Sequence, residues 1–309
     1  MRRFFAAAAL IFTLALSGCA DMTELGDRAI IQAAALDYDN GVFRVSALMF
    51  SGGGGSERID SSQDNVIKVS GEGGTVGAAI ENISQIDGKR VYMSEAKLLI
   101  FGAGFEQADI ISALDMLYFE RRCSLNMPVC FAESAEMLTD IRFTEGITAA
   151  EKPVSMIENA HSAGASPKTT VFDILCDNTA GRSSYIPMFC ESFNGYGMSD
   201  DENGRTAVLC GSAKIVGGRI AGTADLKQTI GLMLLSGETD SLPLNFFANG
   251  AECACEANGI AVELNDSEVS FSARFRWLSG APLSDSEQKA AGEVLGGYIS
   301  AALDSGLYP

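Results

Sequence analysis

One short apolar run at the amino end limits what the rest of this chain can become. Met1-Arg2-Arg3 opens it with two positive charges, residues 4–16 are apolar apart from Thr13, and Leu16-Ser17-Gly18-Cys19 closes it. The run is too short to cross a bilayer, which takes about 20 apolar residues. A positive start, an apolar middle and a small-residue approach to a cleavage point mark an export leader. A cysteine directly after that approach is the lipobox arrangement of bacterial lipoproteins. The Cys19 thiol is therefore expected to take a diacylglyceryl group. The chain is then cut ahead of Cys19, and the new amino terminus is acylated in turn. No second stretch of about 18 apolar residues follows, so the body is expected to be water-soluble and held to a membrane by its lipid.

Charge narrows the partners. The 309 residues carry 22 basic and 40 acidic side chains, a net charge of −18. Removing the leader takes away Arg2 and Arg3 and no acid, which leaves 20 basic residues against 40 acidic ones, or −20. Phosphate backbones repel such a surface, so nucleic-acid binding is excluded as an expectation. Membrane attachment then falls to buried acyl chains, about 0.8 kcal/mol per methylene, and not to a polybasic patch. An apolar content of 47 % with 20 % charged residues is that of a globular body.

Eight cysteines leave seven once Cys19 is lipidated: Cys123, Cys130, Cys176, Cys190, Cys210, Cys253 and Cys255. An odd number cannot all pair within one chain. Most sit in apolar surroundings, as in Val129-Cys130-Phe131, which favours buried thiols over a disulfide framework.

The order of elements is mixed. Residues 26–37 and 42–50 read as strands of a hairpin around Asn40-Gly41, a pair that supplies the positive φ of a tight turn. Residues 51–65 are glycine-rich and read as a flexible surface loop. A short strand at 66–70 precedes Gly71-Glu72-Gly73-Gly74-Thr75 and a helix over 76–85 capped by Thr75. An apolar strand spans 91–101. Residues 106–121 form a helix with Ile110, Ile111, Leu114, Leu117 and Tyr118 on its core face. Residues 127–132 are a strand, and a helix starts at 134. Residues 148–166 are helical in part, and 167–177 are a further helix. Pro187 makes 183–189 an edge strand. Residues 194–205 hold Gly195, Gly197, Asp200, Asp201, Asn203 and Gly204, the best linker in the chain. A hairpin of 206–210 with 214–220 follows, then a helix over 224–235 capped by Thr223. Paired strands at 255–264 and 268–277 lead to a Ser284/Glu287 capping box and a last helix with Val294, Leu295, Ile299, Ala302 and Leu303 as its core face. Without long βαβ repetition this is an α+β chain of several domains, with mixed sheets flanked by helices and no Rossmann-type repetition.

These residues, taken in order, resemble a known family. Cys19, Glu24, Ala29-Ile30-Ile31, Asp37 and Val42-Phe43-Arg44-Val45 look like the start of the Ger(x)C lipoproteins, the C subunits of GerA-type germinant receptors in spore germination. Gly71 to Thr75 with Ala78-Ala79-Ile80 fits the family's glycine–threonine helix start. Ser94, Lys97 and Leu98-Leu99-Ile100-Phe101-Gly102 fit its central strand. Ala207-Val208-Leu209, Lys214-Ile215-Val216-Gly217 and Leu234-Leu235-Ser236-Gly237 look like its second block. Ala20-Asp21 stands where relatives often have Trp-Asp, Glu95 stands where they commonly carry histidine, and the chain stops short of their last elements. The resemblance implies a non-enzymatic subunit on the outer face of the cytoplasmic (inner spore) membrane, bound to integral membrane A and B subunits and to the bilayer through acylated Cys19. Residues 1–18 are then the leader, 19–200 an N-terminal α+β domain, 201–250 a small middle α+β domain, and 251–309 an incomplete C-terminal α+β domain.

Little in the sequence competes with that reading. Gly71-x-Gly73-Gly74-Thr75 could cradle an anion, but no lysine follows and the pattern is neither phosphate-loop nor dinucleotide fingerprint, so tight packing is favoured. His161 is the sole histidine and sits in a polar stretch, which suits a surface residue better than a nucleophile's base. Cys253-x-Cys255 has one residue between its thiols where zinc pairs have two to four. Asp200-Asp201-Glu202 lacks the order of a calcium loop. No catalytic, cofactor-binding or metal-ligating set is expected, and Cys19 is the one site residue. A solute-binding lipoprotein of a membrane importer is the alternative, although that class needs two lobes of repeated βαβ units. A secreted hydrolase is the third reading, and it lacks an activated nucleophile.

Overall fold

The computed structural model describes residues 28–50, 66–121, 123–140, 150–192, 205–265 and 268–308. Cys19, Glu24, the glycine-rich loop at 51–65 and all of the expected linker except Arg205 lie outside them.

The first strands follow from alternation and turn chemistry. β1 (Arg28–Asp39) and β2 (Val42–Phe50) pair antiparallel, Asp39 opposite Val42. Asn40 and Gly41 turn the chain with φ of 49° and 85°, as a primed hairpin turn requires. β3 (Val66–Gly73) pairs with β2 and runs through Gly71 and Gly73, beyond the expected end at 70. Helix α1 (Val76–Asp87) folds back over β3. Thr75 caps it by accepting from the Ala78 N–H at 3.1 Å, and Gly88 ends it in the left-handed conformation. Its buried residues Val76, Ala79, Ile80 and Ile83 recur at helical spacing.

β4 (Arg90–Tyr92) and β5 (Leu98–Phe101) divide the expected 91–101 strand. The polar Ser94-Glu95 turn interrupts it, closed by the Ala96 N–H on the Met93 carbonyl at 3.1 Å. A short 3₁₀ turn (Ala103–Glu106) precedes α2 (Ile110–Arg121), so this helix starts four residues later than its acidic lead-in suggests. Tyr118 lies off the core face and is exposed. β6 (Val129–Ala132), α3 (Ala135–Asp140), α4 (Glu151–Ser162), α5 (Val171–Thr179) and β7 (Ser184–Ser192) follow. Next come β8 (Thr206–Val216), β9 (Arg219–Asp225) and α6 (Leu226–Ser236). β10 (Ser241–Ala248), β11 (Ala251–Asn265), β12 (Glu268–Trp277) and α7 (Asp285–Asp304) complete the described chain.

The strands form two sheets, and the chain is α+β. The larger runs β3-β2-β1-β5-β6-β7-β8-β9, with β4 also paired to β1. Its centre, β1-β5-β6-β7, is parallel and its flanks are antiparallel. Ile31 to Leu36 of β1 are all buried because helices cover both faces of the sheet. Ile31, Ala34 and Leu36 pack with α1 and α2, while Ala33 and Ala35 pack with α3 and α4. Fully burying a leucine or phenylalanine such as Leu99 or Phe101 contributes about 1.5–3 kcal/mol. The smaller sheet, β10-β11-β12, packs its inner face on α6 and α7.

Three further expectations are corrected. The 183–189 segment is not an edge: β7 lies between β6 and β8. Pro187 is tolerated because the short β6 reaches β7 only at Met188 and Phe189, beyond the proline. The second hairpin turns at Gly217-Gly218, with φ of 54° and 78°, and not near Gly211. Gly211 serves close strand approach instead, since a Cβ there would meet the Ala224 carbonyl oxygen at 1.9 Å. Asp225, not Thr223, caps α6, exchanging hydrogen bonds of 2.8 and 2.9 Å with Gln228. β10 is absent from the sequence reading, although its burial alternates cleanly.

Pairing also crosses both expected domain divisions. β7 and β8 pair from Ser184–Ile215 to Ser192–Thr206, across 200/201, and β10 and β11 pair across 250/251. On the cysteines, Cys190 and Cys210 form a disulfide between these same strands, with Cα atoms 5.9 Å apart, where the sequence favours buried thiols over a disulfide framework. Cys123, Cys130 and Cys255 are buried thiols, Cys176 is exposed and Cys253 half-buried. Burial pushes the Cys123 thiol up to about 11.

Two outcomes follow from this packing. A Cβ at Gly71 would meet the Ala79 carbonyl oxygen at 2.3 Å, whereas one at Gly74 meets nothing within 4 Å. Gly71→Ala is expected to cost about 1–3 kcal/mol in urea unfolding and Gly74→Ala to stay near neutral; equal effects would contradict the packing. The disulfide links residues 20 apart. Breaking it with Cys190→Ser is expected to cost about 2–4 kcal/mol, and wild type should shift by the same amount when reductant is added.

Candidate functional site

A dense polar cluster gathers around the carboxyl end of β1. Asp37 ends the buried stretch, and its carboxylate accepts the N–H groups of Ala135 and Glu136, each at 3.0 Å. These are the first N–H groups of α3, which have no partner inside the helix and attract negative charge. The protein's own carboxylate occupies the place an external anion would take. Gly102, following β5, makes room for it: a Cβ there would fall 1.9 Å from Asp37 Oδ1. The Gly102 N–H donates to the Leu36 carbonyl at 2.9 Å, which fixes the two strand ends together. Burial pushes the Asp37 carboxyl up, and the two backbone N–H groups work against it.

Around this node runs a chain of ion pairs. Arg44 on β2 holds Glu72 on β3 at 2.6 Å and reaches Glu136 on α3 at 3.6 Å. Lys68 on β3 holds Glu136 at 2.7 Å and also pairs with Asp140. The Lys68 hydrogen bond holds the Glu136 carboxyl below the usual range, against its partial burial. Burial opposes the Lys68 charge, but Asp140 and Glu136 together outweigh it and raise that group. Single exposed pairs of this kind contribute little; as a network they pin α3 to β2 and β3. The arrangement positions a helix, and the Ser46 and Ser70 hydroxyls, 2.8 Å apart, lie beside it, with Ser46 hydrogen-bonded to Glu136.

The other sequence candidates fall elsewhere. Gly71 and Gly73 let α1 close on β3: a Cβ at Gly73 would lie 2.6 Å from the Ala79 nitrogen. That is the packing role favoured in the sequence. His161, near the end of α4, donates from Nδ1 to the Ser166 carbonyl at 3.1 Å. It shares an open cleft of about 820 Å³ with Cys176, Glu238 and Tyr308, and no hydrogen bond joins His161 to Cys176 among the described residues. Ser94 and Lys97 line a second cleft of about 610 Å³ with Asn126, Glu158 and Lys168. Lys168 is there committed to Glu158 at 2.9 Å. Cys253 and Cys255 both lie toward the inner side of the small sheet, as alternate strand positions do. Among the described residues no three histidine, cysteine or acidic side chains could hold a metal ion together. Asp200-Asp201-Glu202 lies outside the described residues.

Residues 21–189 match the family model described as the spore germination protein N-terminal domain, which is more than half of the chain. This chain belongs to that spore germination family. The crystal structure of the GerBC protein also matches, with a TM-score of 0.47 at 14 % identity, over 92 % of this chain and 84 % of that one. A search of the curated proteins found no match. Of the residues singled out for the family resemblance, Asp37 and Gly102 meet at one node, and Gly71, Gly73 and Thr75 together seat α1. Ser94 and Lys97 share the smaller cleft. The ion pairs that surround Asp37 were not found in the sequence, because their partners depend on strand register and on a helix placed far along the chain.

The two central carboxylates titrate with opposite sign. Glu136, held low, stabilises the fold above the ordinary carboxylate range, and that contribution is lost as pH falls through its lowered value. Asp37, held high, stabilises when protonated, and its contribution is lost as pH rises through its raised value. The cost of Glu136→Gln is therefore expected to shrink on acidification. Asp37→Asn should gain relative to wild type as pH rises from below about 3.9. Urea midpoints against pH check both, and parallel profiles for wild type and variants would contradict the assignment.

Proposed function

We propose that this chain is the lipid-tethered C subunit of a nutrient germinant receptor, working through protein–protein contacts and not through catalysis. Membership of the spore germination family carries the reading. The lipobox at Cys19 supports the tether, and no described helix is long and apolar enough to cross a membrane. On this reading Cys19 carries the lipid and residues 1–18 are removed. The body stands on the outer face of the inner spore membrane, beside integral membrane A and B subunits. Among the described residues the surface presents ion-paired helices and open clefts, which suits a scaffold.

Cys19→Ala decides the tether, because a body with a charge near −20 has no general attraction for anionic head groups. The variant is expected in the soluble fraction of disrupted spores, with nutrient-triggered germination lost and chemically triggered germination kept. Wild-type protein drawn from solubilised spore membranes should bring two integral membrane proteins with it. A variant that stays on the membrane would overturn the anchor, and repeated isolation of wild type without such companions would overturn the receptor role.

A further inference from the structure

We propose that the end of the large sheet where β1 begins is a bilayer-facing surface that seats on anionic lipid head groups. The proposal rests on the reading that Cys19 is acylated. Cys19 lies nine residues before Arg28, the first residue of β1, so the lipid can be no more than about 30 Å from that strand end. At this strand end the chain gathers positive charge. Arg28 and Arg90 are register partners on parallel neighbours β1 and β4, with Lys89 next to Arg90 in sequence. Like charges placed directly opposite each other on adjacent strands repel. Among the described residues no ion pair joins Arg28, Lys89 or Arg90 to an acid, Asp87 at the end of α1 included, whereas Arg44, Lys68, Arg121, Lys168, Arg182 and Arg205 have acidic partners. The half-buried Arg28 stacks its guanidinium on the Tyr92 ring, 5.1 Å from the centroid.

Other cations also lack an acidic partner among the described residues, Arg219, Lys227, Arg274 and Arg276 among them, but this group of three lies within reach of the tether. An anionic partner supplied from outside would satisfy it, and a tethered body meets the bilayer surface first. Ile86 adds an apolar contact at the same place. It lies in the last turn of α1, just before Gly88 reverses the chain toward Lys89, and is 62 % exposed. A basic group beside an exposed isoleucine is suited to the head-group boundary. Three cations do not hold a strongly acidic body by themselves; the lipid holds it, and this surface sets which way it faces.

The test uses the full acylated chain with Ile86→Trp, in vesicles of phosphatidylglycerol and phosphatidylcholine brominated on acyl carbons close to the head groups. Trp277 is the sole native tryptophan, so unsubstituted protein supplies the baseline. Quenching above that baseline is expected in the anionic vesicles and its loss in phosphatidylcholine alone. Adding Arg28→Glu, Lys89→Glu and Arg90→Glu together should return quenching to baseline while the protein still sediments with the vesicles. Circular dichroism checks that the triple variant is folded, and Arg90→Glu alone should give an intermediate loss. An Ile86→Trp protein that binds the anionic vesicles but is quenched no more than baseline would overturn the proposal. That result is expected if a protein partner, or the tether's own Asp21, Glu24 and Asp27, covers these cations. Failure of the anchor itself looks different: the unsubstituted protein would then not sediment with either vesicle.

Discussion

A single carboxylate at the end of the central strand fixes a short helix to one face of the large sheet. Asp37 takes the free N–H groups of α3 from below, and Gly102 has no side chain so that it can do so. α3 is a short helix of six residues, with little ability to hold itself. Anchored by Asp37, it brings Glu136 and Asp140 to Arg44 and Lys68 on the neighbouring strands. One half-buried acid therefore joins a helix about a hundred residues further along the chain to the first strands of the sheet.

The same logic of close approach recurs at several glycines within strands and helices. Gly71 and Gly73 bring α1 against β3, Gly211 brings β8 against β9, and Gly231 brings α6 against α7, where a Cβ would lie 2.0 Å from the Tyr298 carbonyl oxygen. Backbone contact of this kind leaves little tolerance for added volume. α6 is central to the joining of the two sheets. Its Thr229 hydroxyl meets Ser212 of the large sheet at 2.9 Å, while Ile230 and Leu234 pack into the core of the small one.

Local chemistry was legible in the sequence wherever cause and effect lie within a few residues. Asn40-Gly41 announces its hairpin, Thr75 its helix start, and Ser284 with Glu287 the cap of α7, where the Ser284 N–H donates to Glu287 at 2.9 Å. The core face of α7 also emerged from spacing, with Leu295, Ile299 and Ala302 buried. What failed depends on partners remote in sequence. Pro187 argues for an edge only if β7 needs its full length paired on both sides, and β6 is too short to ask for it. The Cys190–Cys210 bond depends on the β7–β8 register. At the candidate site the resemblance picked out Asp37 and Gly102 separately, but their contact, and the helix they support, come from the topology alone.

The placement of β7 has a practical consequence for anyone dissecting this protein. The family match ends at residue 189, inside β7, and the strand that covers β7 on its far side comes afterwards. A fragment trimmed to that homology limit would lose the last residues of β7 and all of β8. It would carry a bare row of backbone donors and acceptors in the middle of what is normally a continuous sheet, and neither thiol of the crosslink that normally ties the two strands. Such a piece is built to stick to its neighbours. The boundary drawn by evolutionary likeness and the boundary at which the polypeptide can stand alone are different places.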